Sequence, residues 1–452
     1  MHASMPNPSD PTSPDPSFAE LLAVRPVLSL HAQDGLVMED VPLAAIADAV
    51  GTPVWVYSAA TIRRRYAELR AALAEAGLAA VIHYAVKAND RLAVLRLLAA
   101  EGAGADVVSG GELARALEAG IPPSRIVFSG VGKTPAEMKM ALDQGVAQIN
   151  VESAEELRIL SAVAEEAGRK ARIALRVNPD VDAKTHPKIT TGLAENKFGI
   201  PFSEAASLYA EAARLPGLLP VGLAVHIGSQ ITSLAPFRFA FARLCELAQD
   251  LLARGLPLER LDCGGGLGIS YRDEPALLPA AYAGVLKATL GGLGLPLIVE
   301  PGRWLVGPAG VLVASVVVEK ASNAHRFVIL DAGMNDLLRP ALYGAWHGIL
   351  PLSAADAAGS LSPAEVVGPV CETGDTFAKG RLLPRLAPGA RVAILDAGAY
   401  GSVMSSFYNA RPLAAEVMVA GGCWHVIRER ASLSSLWAGE RVPAFLQKAA
   451  TS

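Results

Sequence analysis

Cysteine is scarce in this sequence and shows no pairing pattern. The 4 cysteines, Cys245, Cys263, Cys371 and Cys423, lie far apart and form no CxxC pair. This usage argues against a disulfide scaffold and against a structural zinc site, and it suits a reducing cytosol. We therefore expect a cytoplasmic protein without a metal site.

The chain also lacks a strong excess of charge and a long uncharged apolar run. A net charge of -4 and a pI near 6.1 argue against a partner that is nucleic acid or an anionic membrane. Although 52% of the residues are apolar, no uncharged apolar run reaches the length of a membrane span. We expect a soluble chain, long enough for one large domain and a second.

The N-terminus lacks the features of a signal peptide. Met1 to Ser17 is rich in Pro and Ser, contains no basic residue except His2 and has no apolar core. We interpret residues 1–18 as a disordered tail.

From Ala79 onward, strand-like runs alternate with amphipathic helical stretches. Helix start signals support several of the helices, for example the capping box that begins at Thr134. The eight strand-like runs are 79–86, 105–108, 125–128, 148–151, 172–177, 222–226, 260–263 and 297–300. Eight such units over about 230 residues predict a parallel (β/α)8 barrel. Periodicity does not exclude an open doubly wound sheet.

Beyond Arg303 the pattern changes to strands separated by turns and irregular loops. This pattern predicts an antiparallel β domain, and we expect the strands near residues 25–40 to join it. The predicted organisation is a tail (1–18), an N-terminal segment joining the β domain (19–53), the barrel (54–310) and the β domain (311–446).

Lys87 ends the first strand of the predicted barrel. Active sites of α/β folds lie at the carboxyl ends of strands, and a partly desolvated lysine there can form a Schiff base with a carbonyl cofactor or substrate. Taken alone, the stretch around Lys87 favours the ordinary interpretation, a lysine whose amine reaches solvent from a strand end.

Three other strand ends carry unusual residues: His226 to Gln230, Gly264 to Gly268, and Glu300 to Arg303. In a barrel they would share one rim with Lys87. Each has an ordinary interpretation, as a packed histidine, a tight turn and a local ion pair. Together, a lysine, a phosphate-binding turn, an imidazole and a carboxylate for a pyridinium nitrogen describe a pyridoxal phosphate site.

With Tyr84 to Asn89, Cys371 to Asp375 and Asp396 to Tyr400, these motifs resemble the fold-type III pyridoxal phosphate-dependent decarboxylases. The resemblance implies a barrel followed by a β domain, with pyridoxal 5'-phosphate as the cofactor. It also implies a homodimer whose active sites lie at the interface, each taking residues from the partner's β domain.

By this resemblance, Lys87 carries the cofactor, His226 stacks on its ring, and Glu300 faces the pyridine nitrogen and keeps it protonated. The phosphate-binding residues are Ser229, Gly264, Gly265, Gly266, Gly268 and Tyr400, and Pro301, Gly302 and Arg303 complete the cofactor-binding set. The implied catalytic residues are Lys87, His226 and Cys371, the last as the acid that protonates the carbanion.

The resemblance also implies a small amino-acid substrate with two charged ends. Arg303, Arg339 and Tyr343 would bind the carboxylate remote from the reaction, Glu372 the distal amino group, and Tyr400 would complete the substrate pocket. The expected reaction converts meso-2,6-diaminopimelate into L-lysine and CO2, the final step of lysine biosynthesis. A pocket of this kind rejects substrates without the distal carboxylate, because its buried charges would be left unpaired.

Three alternatives remain open. A fold relative could act on ornithine, arginine or carboxynorspermidine, or as a racemase. A non-catalytic pyridoxal phosphate carrier would have no use for Cys371 and Glu372. A barrel with phosphate-sugar chemistry would not bind pyridoxal phosphate.

Overall fold

The computed structural model describes residues 15–182, 191–192, 197–274, 276–322 and 325–446, so most of the predicted tail lies outside the described residues. Residues 15–18 differ from the predicted disorder. Ser17 caps helix α1 (Phe18–Ala23) by accepting from the backbone N–H of Glu20, and Asp15 forms an ion pair with Arg381 at 3.0 Å. The Ser17–Glu20 capping box explains why a helix begins at this point.

The next segment forms its own small sheet. Strands β1 (Leu28–His31), β2 (Gly35–Met38) and β3 (Val41–Pro42) pair antiparallel, and helix α2 (Leu43–Val50) follows. Their buried side chains pack against the β domain, and the Leu36 N–H donates to the Leu352 carbonyl at 2.7 Å. The segment therefore lies on the β domain as expected, but it does not extend the large sheet of that domain.

Strand β4 (Val54–Ser58) belongs to the β domain, although the predicted boundary at residue 54 assigned it to the barrel. It pairs antiparallel with Gly310–Val313 and parallel with Ala415–Val419. All five of its residues are buried. A short apolar strand is compatible with either sheet, so its own sequence does not determine its partners. Helix α3 (Ala59–Glu75), capped by Ser58, then leads into the barrel.

The predicted barrel is confirmed. Eight parallel strands form a closed ring, because β8 pairs with β9 as well as with β7, and a two-residue strand, β10, adds to β9. The strands are β5 (Ala80–Ala85), β6 (Gly104–Val107), β7 (Ile126–Phe128), β8 (Gln148–Val151), β9 (Ala171–Asn178), β10 (Ile200–Pro201), β11 (Leu218–Ala224), β12 (Arg260–Asp262) and β13 (Leu297–Val299). The helices are α4 (Leu92–Glu101), α5 (Gly110–Glu118), α6 (Pro135–Gln144), α7 (Ala154–Glu166), α8 (Phe202–Ala212), α9 (Ala235–Ala253), α10 (Pro279–Leu290) and α11 (Arg303–Val306). Within the described ranges, no helix is long and apolar enough to cross a membrane.

The β domain follows the barrel and is mostly antiparallel. Its elements are β14 (Gly310–Ala321), β15 (Arg326–Leu330), α12 (Arg339–Tyr343), β16 (Ile349–Pro351), α13 (Ala354–Ala357), β17 (Ser362–Val367), β18 (Thr376–Leu383), β19 (Arg391–Ile394), β20 (Ala415–Ala420) and β21 (Cys423–Arg428). The main sheet has the order β18-β17-β15-β14-β4-β20-β21, and β19 joins β14 to β16. Two pairs, β15–β17 and β4–β20, are parallel, which the strand-and-turn pattern did not indicate.

Glu416 on β20 connects the barrel to the β domain through hydrogen bonds. It is fully buried and accepts hydrogen bonds from Arg91 Nε at 2.5 Å, Arg428 Nη1 at 2.8 Å and Tyr57 Oη at 2.7 Å. Arg91 precedes barrel helix α4, whereas the other two donors belong to the β domain.

Replacing Glu416 by alanine should lower the free energy of unfolding by about 3 to 5 kcal/mol, because two partly buried arginines lose their carboxylate partner. Urea unfolding followed by circular dichroism measures this loss, and the exposed Glu429→Ala is the control. Equal stability of the two variants would show that Glu416 does not hold the domains together.

Candidate active site

Lys87 lies at the carboxyl-terminal mouth of the barrel, in a single 3-10 turn (Val86–Ala88) directly after β5. Its Nζ donates to Oδ2 of the buried Asp106 on β6 at 2.7 Å. Burial alone would lower the pKa of the Lys87 amine, but nearby acidic groups, Asp106 first, outweigh burial and hold the pKa above its ordinary value. The amine is therefore held as a cation by its hydrogen-bonded ion pair with Asp106.

Two buried carboxyl groups interact at the centre of the barrel mouth, Asp262 at the end of β12 and Glu300 directly after β13. Burial raises the pKa of Glu300 well above its ordinary value, and the charges of Asp106 and Asp262 raise it further. Burial also raises the pKa of Asp262, to about 6, although the Gly264 N–H donates to its Oδ1 at 3.0 Å. Asp262 therefore ionises first and Glu300 keeps its proton.

Among the described residues, Oε1 of Glu300 is buried and has no hydrogen-bond partner. A buried oxygen of this kind is costly unless a ligand donates to it. It is therefore available to a ring N–H in the barrel mouth, as the pyridoxal phosphate prediction requires.

His226, two residues after β11, has a fixed protonation pattern. Its Nδ1 accepts from the Gly265 N–H at 3.1 Å, so the ring proton of the neutral imidazole lies on Nε2. Burial, followed by the charges of Arg176 and Lys87, holds the pKa of His226 well below its ordinary value. The ring is neutral and held in one orientation, as a stacking partner should be.

The glycine turn is tightly packed between strand ends. A Cβ on Gly264 would lie 2.2 Å from the Val225 carbonyl oxygen, and one on Gly265 would lie 2.2 Å from that of Glu300. The N–H groups of Gly264 and Gly265 already donate to Asp262 and His226, and the Gly268 N–H donates to the Ile231 carbonyl at 3.0 Å. The predicted phosphate role of the turn therefore falls mainly on Gly266. Packing therefore explains the first two glycines without a phosphate.

A cavity of about 370 Å³, which is large enough for a small aromatic cofactor, lies at the barrel mouth. Its lining includes Lys87, Asp106, Asn150, His226 and Glu300. Pro301 and Gly302 have packing roles beside it: the Pro301 carbonyl accepts from the Ala85 N–H at 3.2 Å, and a Cβ on Gly302 would lie 3.0 Å from the Ala88 Cβ.

A second cluster forms where the barrel meets the β domain. Arg303, the first residue of α11, donates to Tyr271 Oη at 2.6 Å and to Ser229 Oγ at 3.1 Å. Its guanidinium carbon lies 4.8 Å from the ring centre of Tyr400, whose N–H donates to the Ala88 carbonyl at 2.8 Å, beside Lys87. This cluster is therefore connected to the Lys87 turn.

Arg339, at the start of α12, completes the second cluster. Its guanidinium carbon lies 4.6 Å from the ring centre of Tyr271, and its Nη1 lies 2.7 Å from Nε2 of His347. Tyr343 is close enough for its hydroxyl to influence both Arg303 and Arg339. Within the described ranges, neither arginine forms an ion pair, and the Nε of each is buried without a partner. Two buried cations with neutral neighbours favour the binding of an anion.

Cys371 and Glu372 do not join either cluster in their own chain. Both are exposed in the loop between β17 and β18, and neither lines the Lys87 cavity. The Cys371 N–H donates to Asn409 Oδ1 at 2.9 Å, and Glu372 accepts from Tyr408 Oη at 2.8 Å. A single chain therefore lacks the predicted acid and the predicted amine-binding group at the barrel mouth.

Sequence reasoning missed four residues of the site: Asp106, Asp262, Tyr271 and His347. The first two had a usable signal, because a carboxylate within an apolar strand is costly to bury and needs a partner. Tyr271 and His347 lie outside the predicted motifs and carry no such signal.

Comparisons with known proteins agree with this geometry. Residues 59–307 match the pyridoxal binding domain of the pyridoxal-dependent decarboxylases. Diaminopimelate decarboxylase from Zymomonas mobilis is 48% identical over 409 residues, covering 90% of this chain and 96% of the relative. The enzyme of that name from Vibrio cholerae is 51% identical over 417 residues, covering 91% and 98%. The crystal structure of Helicobacter pylori diaminopimelate decarboxylase complexed with L-lysine has 44% sequence identity and a TM-score of 0.84, covering 87% of this chain and 98% of that one.

Proposed function

The chain belongs to the diaminopimelate decarboxylases, within the pyridoxal-dependent decarboxylases, and from this premise we propose that it converts meso-2,6-diaminopimelate into L-lysine and CO2. This reaction is the final step of lysine biosynthesis. The observation that carries the choice of substrate is the pair Arg303 and Arg339, two buried cations without a carboxylate partner among the described residues. Such a pair recognises a substrate carboxylate that is remote from the reacting one.

The cofactor is pyridoxal 5'-phosphate, and the residues of the barrel mouth fit it. Lys87 Nζ would hold it covalently, the neutral His226 ring would stack on it, and Glu300 would receive its ring N–H on the unpartnered Oε1. Its phosphate would be bound by Ser229, Gly266 and Tyr400. Bound pyridoxal phosphate supplies an electron sink for the electron pair that remains when CO2 leaves.

The protein's own groups would then position the substrate and move protons. Glu300 is protonated beside Asp262 in the free site, and a positive ring nitrogen next to its Oε1 would favour the ionised form of Glu300. Arg303, Arg339 and Tyr343 would bind the distal carboxylate. They would thereby direct the reacting carboxylate towards Lys87, whose Nζ is held by Asp106.

We further propose that a second copy of the chain supplies Cys371 and Glu372 to each site. Both side chains are exposed and absent from the cavity of their own chain, and the nearby Phe407 and Tyr408 leave 46% and 45% of their surface exposed. Exposed aromatics around exposed reactive groups suit an interface. In such a homodimer, Cys371 Sγ would protonate the reacting carbon and Glu372 would bind the distal ammonium group. The 4 free cysteines suit the reducing cytoplasm, where we place the enzyme.

The function is tested by CO2 release from the purified protein with added pyridoxal phosphate, using meso-diaminopimelate, ornithine, arginine and lysine separately. We expect release from diaminopimelate alone, with lysine formed in equal amount, because only this substrate offers the arginines a distal carboxylate. Preference for another amino acid would keep the cofactor site but remove the assigned role of the arginines. No release from any of the four would favour a racemase or a cofactor carrier.

A further inference from the structure

The buried arginines of this chain divide into two groups by their partners. Four of the six buried arginines in the described ranges, Arg25, Arg176, Arg326 and Arg381, form ion pairs with carboxylates. The other two, Arg303 and Arg339, are held by neutral groups, namely hydroxyls in the first case and an imidazole in the second. Neutral partners position a guanidinium without cancelling its charge.

We propose that His347 is a positioning residue that sets recognition of the distal carboxylate by holding Arg339 through a neutral acceptor nitrogen. The proposal rests on the proposed function, since it concerns the same substrate carboxylate. His347 is fully surrounded by protein and lies four residues after the predicted substrate residue Tyr343.

Its hydrogen bonds determine the tautomer of His347. Nδ1 lies 2.7 Å from the Leu395 carbonyl oxygen, which can only accept, so Nδ1 carries the proton. Nε2 therefore has a free lone pair and accepts from Arg339 Nη1 at 2.7 Å. Burial, followed by the charge of Arg339, holds the pKa of His347 well below its ordinary value, so the ring stays neutral.

The position of His347 is fixed from three sides. Its ring is bound by Leu395, its carbonyl accepts from Arg381 Nη1 at 2.7 Å, and Tyr271 packs edge-on at 5.3 Å between ring centres. Arg381 is in turn paired with Asp15. Because this acceptor is held firmly, Arg339 is already ordered before substrate binds. The free-energy cost of ordering a long side chain therefore does not weaken substrate binding.

Two substitutions separate the two hydrogen bonds of the ring. In His347→Asn, the amide replaces Nδ1 and can still donate to Leu395, but nothing replaces Nε2. In His347→Gln, the amide reaches the position of Nε2 and its oxygen can accept from Arg339, while the bond to Leu395 is lost. If His347 serves only packing, asparagine should be the better tolerated replacement. If His347 holds Arg339, glutamine should be better tolerated, because only glutamine keeps an acceptor for the guanidinium.

For His347→Asn we expect KM for diaminopimelate to rise roughly 10- to 100-fold, the value of a hydrogen bond to a charged group, with kcat within about threefold of the wild type. His347→Gln should stay within about fivefold of the wild-type KM. Arg339→Ala is the reference for complete loss of the guanidinium, and the exposed His325→Gln is the control. Absorbance of the bound cofactor and the melting temperature of each holoenzyme show whether the variants are folded and loaded.

Calorimetric binding of pimelate, which has both carboxylates of the substrate and no amino group, completes the test. We expect the Kd for pimelate to rise in His347→Asn in parallel with KM. A smaller loss for asparagine than for glutamine, or unchanged pimelate binding in both variants, would overturn the proposal. The wild type could also release no CO2 from diaminopimelate while His347→Asn still binds pimelate more weakly than the wild type. That result would discard the proposed function and keep His347 as the residue that holds Arg339.

Discussion

Replacing Lys87 by alanine is expected to lower CO2 release by about four orders of magnitude, because the variant lacks the amine that we propose binds the cofactor covalently. The loss should appear in kcat. The cofactor should still bind, because the hydrogen bonds that hold the His226 ring and the glycine turn do not involve Lys87.

Lys87→Arg is the matched variant, because it keeps a positive charge opposite Asp106 and cannot form the covalent bond. Borohydride reduction followed by peptide mass spectrometry should find the cofactor on Lys87 in the wild type and on no lysine in either variant. The exposed Lys139→Ala should behave as the wild type. An active Lys87→Arg enzyme, or wild-type label on another lysine, would contradict the assignment.

The barrel was predictable because its information is local and repeated. Each strand is a short apolar run, each helix has a start or stop signal, and eight repeats leave few arrangements other than a closed ring. The strand β4 was misplaced for the opposite reason. Its five residues are buried and all but Ser58 are aliphatic or aromatic, but its partners at Gly310–Val313 and Ala415–Val419 lie far along the chain. Nothing in the strand itself specifies that pairing.

The candidate site also combines features that local sequence patterns indicate with features that depend on distant parts of the chain. The meeting of Lys87, His226 and Glu300 could be predicted because strand ends of a barrel lie at one rim, and the structure brings the three residues to one cavity. His347 could not, because its role depends on a carbonyl at Leu395 and a guanidinium at Arg339, neither of which its neighbours in sequence reveal. From sequence alone, a single buried histidine is interpreted as a packed core residue, because the partners of its two ring nitrogens are unknown.

Cys371 and Glu372 are exposed and do not reach the Lys87 cavity of their own chain. Replacing Cys371 by alanine is expected to lower kcat at least about 100-fold, the usual value of a positioned acid, and to leave cofactor binding unchanged. If each site takes Cys371 from the partner chain, the Lys87 and Cys371 variants carry defects on different sides of the interface.

Mixing the inactive Lys87→Ala and Cys371→Ala proteins, under conditions in which subunits exchange, should therefore restore activity. In a mixed dimer, one site has both defects and the other has neither. Random exchange makes half of the dimers mixed, so activity should return to about a quarter of the wild type. The control mixture of Lys87→Ala with Lys87→Arg should stay inactive, because every site then lacks the lysine. Absence of recovery in exchanging subunits would place Cys371 in the site of its own chain, and the exposed loop between β17 and β18 would then have to move to reach the barrel mouth.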